Sequence, residues 1–159
     1  MLVISKFGEA ARSCLPTPYT EVLMLPREKP YVYLAAPYTK GDPAANTFAQ
    51  MKIWDKLVDD GLVTPYAPLW SHFQHGVTPR RYEDWTRYDF EVMAASNFDA
   101  CLRMDAVVPH INYHVSESSG ADAEVAWCQE RGIPVFYSIP KLYEAIRDGK
   151  LACRQCDTV

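Results

Sequence analysis

The segment 116–127 is where residue types and spacing point most clearly to chemistry. It reads SESSGADAEVAW, in which Ser119 and Asp122 match a capping box that starts a helix. Backbone N–H groups at such a helix start attract phosphate or carboxylate groups. Glu124 follows one turn later, and its side chain is expected to tilt back toward this positive end. We therefore expect an ionised Glu124, as a nucleophile requires, although the spacing alone favours a surface glutamate after an ordinary cap.

Asp89 is a second acid, set inside an apolar stripe of a predicted helix. The stripe is formed by Trp85, Tyr88, Val92 and Ala95. Because burial raises the pKa of a carboxyl, a protonated Asp89 could give a proton to a leaving group. A buried acid that caps a neighbouring loop is the alternative. Glu91 is more simply explained as the surface partner of Arg87, four residues earlier.

The histidines do not form a metal-binding pattern. His72 and His75 share one predicted loop, and His110 and His114 share another, but no carboxylate accompanies either pair at metal spacing. We interpret them as loop or core histidines. His72 can still line a ligand pocket together with Trp70, whose ring would stack on a base.

The cysteines and glycines indicate no cofactor. Cys153 and Cys156 form one CxxC, whereas a structural zinc site needs four ligands. Cys101 and Cys128 fall in predicted core elements, where a thiol behaves as a small hydrophobe. Residues 35–41 read AAPYTKG, which is not a dinucleotide fingerprint, and a Walker A lysine is missing. We therefore expect neither a metal nor a dissociable cofactor.

Length and composition suit one globular domain. The chain has 159 residues, of which 48% are hydrophobic and 23% charged. Its net charge of −4, without a basic stripe, argues against polymeric nucleic acid as a partner. No apolar run approaches a membrane span, and the first residues are charged too soon for a secretory signal. We expect a cytoplasmic protein with a small-molecule ligand.

The elements that must position these residues alternate between strands and helices. Strands are predicted over 31–36, 62–66, 99–104 and 133–138. Helices are predicted from a cap at Asp42 to a stop at Gly61, and over 81–96, 120–131 and 141–148. Such alternation predicts a Rossmann- or flavodoxin-like α/β domain, with a parallel sheet of four or five strands flanked by helices.

The predicted topology also places the candidate residues. Ligands of such sheets bind beyond the carboxyl ends of the strands, so the predicted loops 36–42, 67–80 and 105–120 should meet at that edge. The domain is expected to span residues 31–150. Residues 1–30, with scattered prolines, are interpreted as an irregular extension, and residues 151–159 as a tail.

Three ordered segments resemble the nucleoside 2-deoxyribosyltransferase-like superfamily. It includes the transferases, deoxynucleoside 5′-monophosphate N-glycosidases, CMP hydrolases, and the phage and bacterial branch to which this chain is most similar. The segments are YLAAPY at 33–38, FDACLRM at 98–104, and SSGADAE at 118–124, the last followed by GIPV at 132–135. The resemblance covers residues 31–138 and implies a homo-oligomer in which a neighbour completes the pocket.

The resemblance also implies roles for individual residues. Glu124 matches the catalytic glutamate, and Tyr33 matches the strand tyrosine that orients it. Tyr38 and Gly120 fall in the matched substrate-binding segments. Ser118 stands where the monophosphate hydrolases carry a phosphate-holding serine and the transferases carry an acid. Because an acid would repel phosphate, the serine favours a 5′-monophosphate substrate.

The implied reaction is cleavage of the N-glycosidic bond of a (deoxy)nucleoside or its monophosphate, by hydrolysis or base transfer. Glu124 would attack C1′ while a second acid protonates the base. The family's spacing, eight residues before Asp99, gives Glu91 as that acid, whereas the apolar stripe gives Asp89, which we prefer. The alternative function is a nucleotide-binding or sensing protein without turnover.

Overall fold

The computed structural model of this chain describes residues 27–153. Its strands are β1 (Tyr31–Ala35), β2 (Thr64–Tyr66), β3 (Ala100–Arg103), β4 (Ala106–Val108), β5 (Tyr113–Val115) and β6 (Val135–Phe136). Four of them form a parallel sheet in the order β2-β1-β3-β6, while β4 and β5 form a separate antiparallel pair. The predicted α/β class and parallel sheet are confirmed.

Within residues 27–153, five helices flank the sheet. They are α1 (Pro43–Asp60), α2 (Ser71–Val77), α3 (Tyr82–Ala95), α4 (Ser119–Glu130) and α5 (Ile139–Arg147). The predicted bounds of α1 are confirmed: the Asp42 carboxylate accepts from the backbone N–H of Ala44 at 2.8 Å, and Gly61 ends the helix with a φ of 69°. No helix within residues 27–153 is long and apolar enough to span a membrane.

Two segments that were predicted to be loops contain regular secondary structure, so these predictions are wrong. Region 67–80 contains a 3₁₀ turn, Pro68–Trp70, followed directly by α2. None of the residues of α2 is buried, so the segment lacks the apolar period that marks a helix in a sequence. Region 105–118 contains the β4–β5 hairpin. Its strands have three residues each, which is too short to show an alternation of apolar and polar residues in the sequence. A 3₁₀ turn, Pro109–Ile111, joins the two strands and ends at Asn112, which has a φ of 52°.

Apolar layers cover both faces of the sheet. Val32 and Leu34 of β1 pack in the layer that contains Leu57 of α1. Tyr33 points to the opposite face, in the layer that contains Val125 of α4, because successive strand residues alternate between faces. The alternation of β1 therefore aims Tyr33 at α4. Cys101 and Cys128 are buried in this second layer, as predicted.

Some sequence predictions lie beyond the described residues. Most of the N-terminal extension, residues 1–26, is outside them, and so is Cys156 of the CxxC. Cys153 is described and is buried.

Candidate functional site

A cavity of about 400 Å³ opens at the carboxyl edge of the parallel sheet. The loop after β1, region 67–80, helix α3 and the start of α4 all contribute to its walls. The expectation that the chain segments following β1, β2 and β3 meet at this edge is confirmed. Six residues were assigned catalytic or substrate-binding roles from the sequence, and five of them line the cavity: Tyr38, Asp89, Ser118, Gly120 and Glu124.

The sixth residue, Tyr33, lies beneath the cavity and holds Glu124. Its side chain is fully buried, and its hydroxyl donates to Oε1 of Glu124 at 2.7 Å. This hydrogen bond fixes one carboxylate oxygen of Glu124 and leaves the other available to a ligand. Tyr33 is thus placed to orient the carboxyl group of Glu124.

The environment of Glu124 works against its ionisation. Burial raises the pKa of the carboxyl to about 8, and the nearby Asp89 adds to the rise, while the hydrogen bond from Tyr33 and the charge of Arg103 lower it. The expectation of an ionised Glu124 is therefore wrong for this protein at neutral pH. Loss of hydration outweighs both the Tyr33 hydrogen bond and the charge of Arg103.

Asp89 is half-buried and lines the same cavity as Glu124. Burial raises its pKa to about 7, which confirms the predicted direction. Glu91 is 69% exposed, does not line the cavity, and lies 3.9 Å from Arg87, as predicted for a surface pair. Of the two candidates for the second acid, the cavity therefore includes only Asp89.

The apolar stripe that led to Asp89 is nevertheless misplaced. Tyr88 is 49% exposed and Ala95 is also exposed, whereas Met93 is the buried residue of α3. The buried face of α3 is thus rotated toward Phe90 and Met93. Asp89 lies at the border between the predicted apolar stripe and the observed buried face. The misplaced stripe therefore still identified it.

Helix α4 begins one residue earlier than its capping-box pattern predicted. Ser118, not Ser119, is the N-cap, and its Oγ accepts from the backbone N–H of Ala121 at 3.2 Å. Asp122 is exposed and lies 3.5 Å from Arg103, so it does not complete a capping box. The hydroxyl of Ser118 retains its own proton, which it can donate to a ligand in the cavity.

Gly120 allows α4 and α3 to approach each other at the cavity. A Cβ at this position would lie 3.2 Å from the hydroxyl of Tyr82, at the first residue of α3. That separation is tighter than ordinary van der Waals contact, so a side chain would push the Tyr82 hydroxyl outward. The glycine therefore contributes to the shape of the cavity wall.

The loop that carries Tyr38 is clamped from two sides. The buried side-chain amide of Asn46 donates to the carbonyls of Tyr38 at 2.7 Å and Lys40 at 2.8 Å. The Asn46 side-chain oxygen accepts from the Tyr113 hydroxyl of β5 at 2.8 Å. Gly41, with a φ of 80°, packs against the same hydroxyl, where a Cβ would collide. The hairpin thus fixes the loop.

Sequence reasoning missed part of the cavity wall. His75, Arg80 and Trp85 line the cavity without having been predicted to do so. His72 lines it as predicted, and its Nδ1 lies 2.9 Å from the Tyr38 hydroxyl. Because residues 71–77 form a helix, the spacing of three between the histidines places both on one face. That spacing is a usable signal only once the segment is known to be helical.

The other predicted lining residue and the second histidine pair lie elsewhere. Trp70 is 50% exposed, packs edge-on against Trp54 with ring centroids 5.9 Å apart, and is not part of the cavity wall. His110 and His114 belong to the β4–β5 hairpin, where His114 Nε2 lies 2.8 Å from an Asp105 carboxylate oxygen. They are surface histidines of the hairpin.

The described side chains equip the cavity for acid–base and nucleophilic chemistry. It combines two carboxyl groups of raised pKa, a serine hydroxyl at a helix start, and aromatic walls. Residues 27–153 contain no group of three or more His, Cys, Asp or Glu side chains that could hold a metal ion. Comparison with protein-family models, curated proteins and solved structures found no match.

Proposed function

We propose that this protein cleaves the N-glycosidic bond of a (deoxy)nucleoside or its 5′-monophosphate, with Glu124 as the nucleophile. The observation that carries the proposal is the pair of carboxyl groups in one cavity, where Glu124 is held by Tyr33 at 2.7 Å and Asp89 lies on the adjacent helix. Two carboxyls with separate roles are what glycosidic cleavage with a covalent intermediate requires.

In the first step the free carboxylate oxygen of Glu124 bonds to C1′ of the sugar. The bond between C1′ and the base nitrogen breaks, its electron pair stays on the base, and the base takes a proton from Asp89. In the second step water attacks C1′ and gives a proton to the Asp89 carboxylate. The bond to Glu124 breaks, which releases the sugar with retained configuration. A second base in place of water gives transfer.

The reactive form of this site holds one proton on the two carboxyl groups. Because the pKa of each is raised, to about 7 for Asp89 and about 8 for Glu124, the pair keeps a shared proton near neutral pH. Burial leaves most of this proton on Glu124, and the hydrogen bond from Tyr33 stabilises the minor arrangement that reacts, in which Glu124 is ionised and Asp89 is protonated.

A monophosphate substrate is supported by the groups at the cavity wall. Ser118 offers a hydroxyl at the start of α4, where the helix terminus favours negative charge. Arg80 adds a cationic side chain to the same cavity. The cavity volume of about 400 Å³ lies within the range of small-molecule sites.

A second candidate function is nucleotide binding without turnover. It is favoured by the raised pKa of Glu124, because a protonated carboxyl donates to a sugar hydroxyl but does not attack C1′. The two functions share a site and differ in their products.

Product analysis separates them. Purified protein is incubated with a panel of (deoxy)nucleosides and their 5′-monophosphates, and free base is measured by chromatography. Catalysis predicts base release that Glu124→Gln abolishes and that the exposed-site variant Glu91→Gln retains. Base release by Glu124→Gln at the wild-type rate would refute the mechanism. Calorimetric binding without base release would establish the second function.

A further inference from the structure

The cavity contains a hydrogen-bonded pair that none of the catalytic steps uses. The indole N–H of Trp85 on α3 donates to Nδ1 of His75 on α2 at 2.8 Å. The backbone N–H of Arg80 points to the same nitrogen at 3.4 Å. Both side chains line the cavity, and both are half-buried.

These donors determine which nitrogen of His75 carries the proton. Trp85 has only an N–H donor and cannot accept, so Nδ1 must act as the acceptor and remain unprotonated. The neutral ring therefore carries its hydrogen on Nε2. Within residues 27–153 nothing bonds this Nε2, so it is the polar group that His75 can offer to a ligand.

The pair lies close to the reacting end of the cavity. Trp85 precedes Asp89 by four residues on α3, so the two side chains lie about one helical turn apart on the same side of the helix. A base that receives its proton from Asp89 is therefore positioned beside the Trp85–His75 pair.

We propose that His75 reads the Watson–Crick edge of the nucleobase as a fixed Nε2–H donor, and that Trp85 is the positioning residue that holds this tautomer. This inference rests on the proposed function, since it presumes a nucleotide in the cavity. The ligand class it names is a nucleobase that presents a hydrogen-bond acceptor, a carbonyl oxygen or a ring nitrogen, to Nε2. A nucleobase that presents a hydrogen-bond donor at the same position is rejected.

The first test concerns the free protein. Nitrogen-15 NMR of histidine-labelled full-length protein at pH 8 should show His75 as the Nε2–H tautomer. Trp85→Phe keeps a ring but removes the donor, so it should allow both tautomers at this position. A His75 that is an Nδ1–H tautomer in the wild type would overturn the tautomer argument, and one that is unchanged in Trp85→Phe would overturn the positioning role of Trp85.

The second test measures discrimination between bases. Uracil and cytosine exchange donors and acceptors along the Watson–Crick edge, as do hypoxanthine and adenine, so dUMP with dCMP and IMP with AMP are the probes. Dissociation constants are measured by calorimetry in a Glu124→Gln background, which prevents turnover. One member of at least one pair should bind more tightly, by about tenfold, which is the scale of one hydrogen bond.

Variants of His75 then decide the outcome. His75→Ala should abolish this discrimination, while His75→Gln, which keeps an N–H near the Nε2 position, should restore part of it. The matched control His110→Ala changes a histidine outside the cavity and should discriminate as before. Unchanged discrimination in His75→Ala would overturn this inference alone. Failure of all four nucleotides and of the corresponding free nucleosides to bind would overturn the proposed function as well.

Discussion

Replacing Glu124 by glutamine is expected to stabilise the protein at pH 8 and to leave its stability nearly unchanged at pH 5. Glutamine has almost the shape of a protonated glutamate, and its side-chain oxygen can still accept the hydrogen bond from Tyr33. It cannot ionise. The variant therefore isolates the free energy that the wild type loses when this carboxyl is forced to ionise in the cavity.

The sign of the effect follows from the two pKa values. The carboxyl titrates near 4.5 when unperturbed and at about 8 in the folded protein, so the folded state holds the proton more tightly. Wild-type stability is therefore lost as the pH rises from about 4.5 to about 8. At roughly 1.4 kcal/mol for each pKa unit, the loss is on the order of 4 kcal/mol.

The assay compares melting temperatures of wild type and Glu124→Gln across the pH range 5 to 8. For a domain of this size about 4 kcal/mol corresponds to a difference of roughly 10 °C at pH 8. Glu91→Gln is the matched control: this carboxyl is 69% exposed, so its variant should follow the wild type at every pH. A gap between Glu124→Gln and wild type that is equal at pH 5 and pH 8 would refute the desolvation argument.

Four further predictions follow from the same geometry. The pH profile of kcat/KM should be bell-shaped with its maximum between about 7 and 8, and Asp89→Asn, which cannot give a proton to the base, should lower kcat/KM and flatten the descending limb. Tyr33→Phe removes a hydrogen bond that lowers the pKa of Glu124, so it should move the ascending limb to higher pH and reduce kcat by about ten- to a hundredfold in steady-state assays. Ser118→Asp should lower kcat/KM for monophosphates relative to free nucleosides because a carboxylate repels phosphate; an unchanged ratio would exclude phosphate from this end of the cavity. Gly41→Ala should destabilise the protein by about 2 kcal/mol in urea unfolding, because of its φ of 80° and the collision with Tyr113.

Much of the scaffold was predictable because its signals are local. The cap at Asp42, the stop at Gly61 and the alternation of apolar runs act within a few residues of one another, so they can be read directly from the chain. The same alternation predicted a parallel sheet, and with it the edge where the cavity opens. Glu124 was identifiable from a helix start that the pattern misplaced by one residue, whereas Ser118 was suggested by the family resemblance.

Other features depend on residues that meet only in the folded chain. The hydrogen bond between Tyr33 and Glu124 joins positions 91 residues apart; no local pattern indicates it, and only the family resemblance suggested it. The His75–Trp85 pair joins two helices, one of which has no buried residue to mark it in the sequence. Spacing within a single element cannot reveal contacts of this kind.

Burial decided the chemistry of the two acids. The sequence by itself determined that Glu124 and Asp89 stand on helices beside a sheet edge, and it predicted the raised pKa of Asp89. It placed Glu124 near a positive helix end and therefore predicted an ionised group. Only the tertiary structure could reverse this, because the hydration that a carboxyl loses depends on all the elements packed around it, whereas a helix terminus is a local feature.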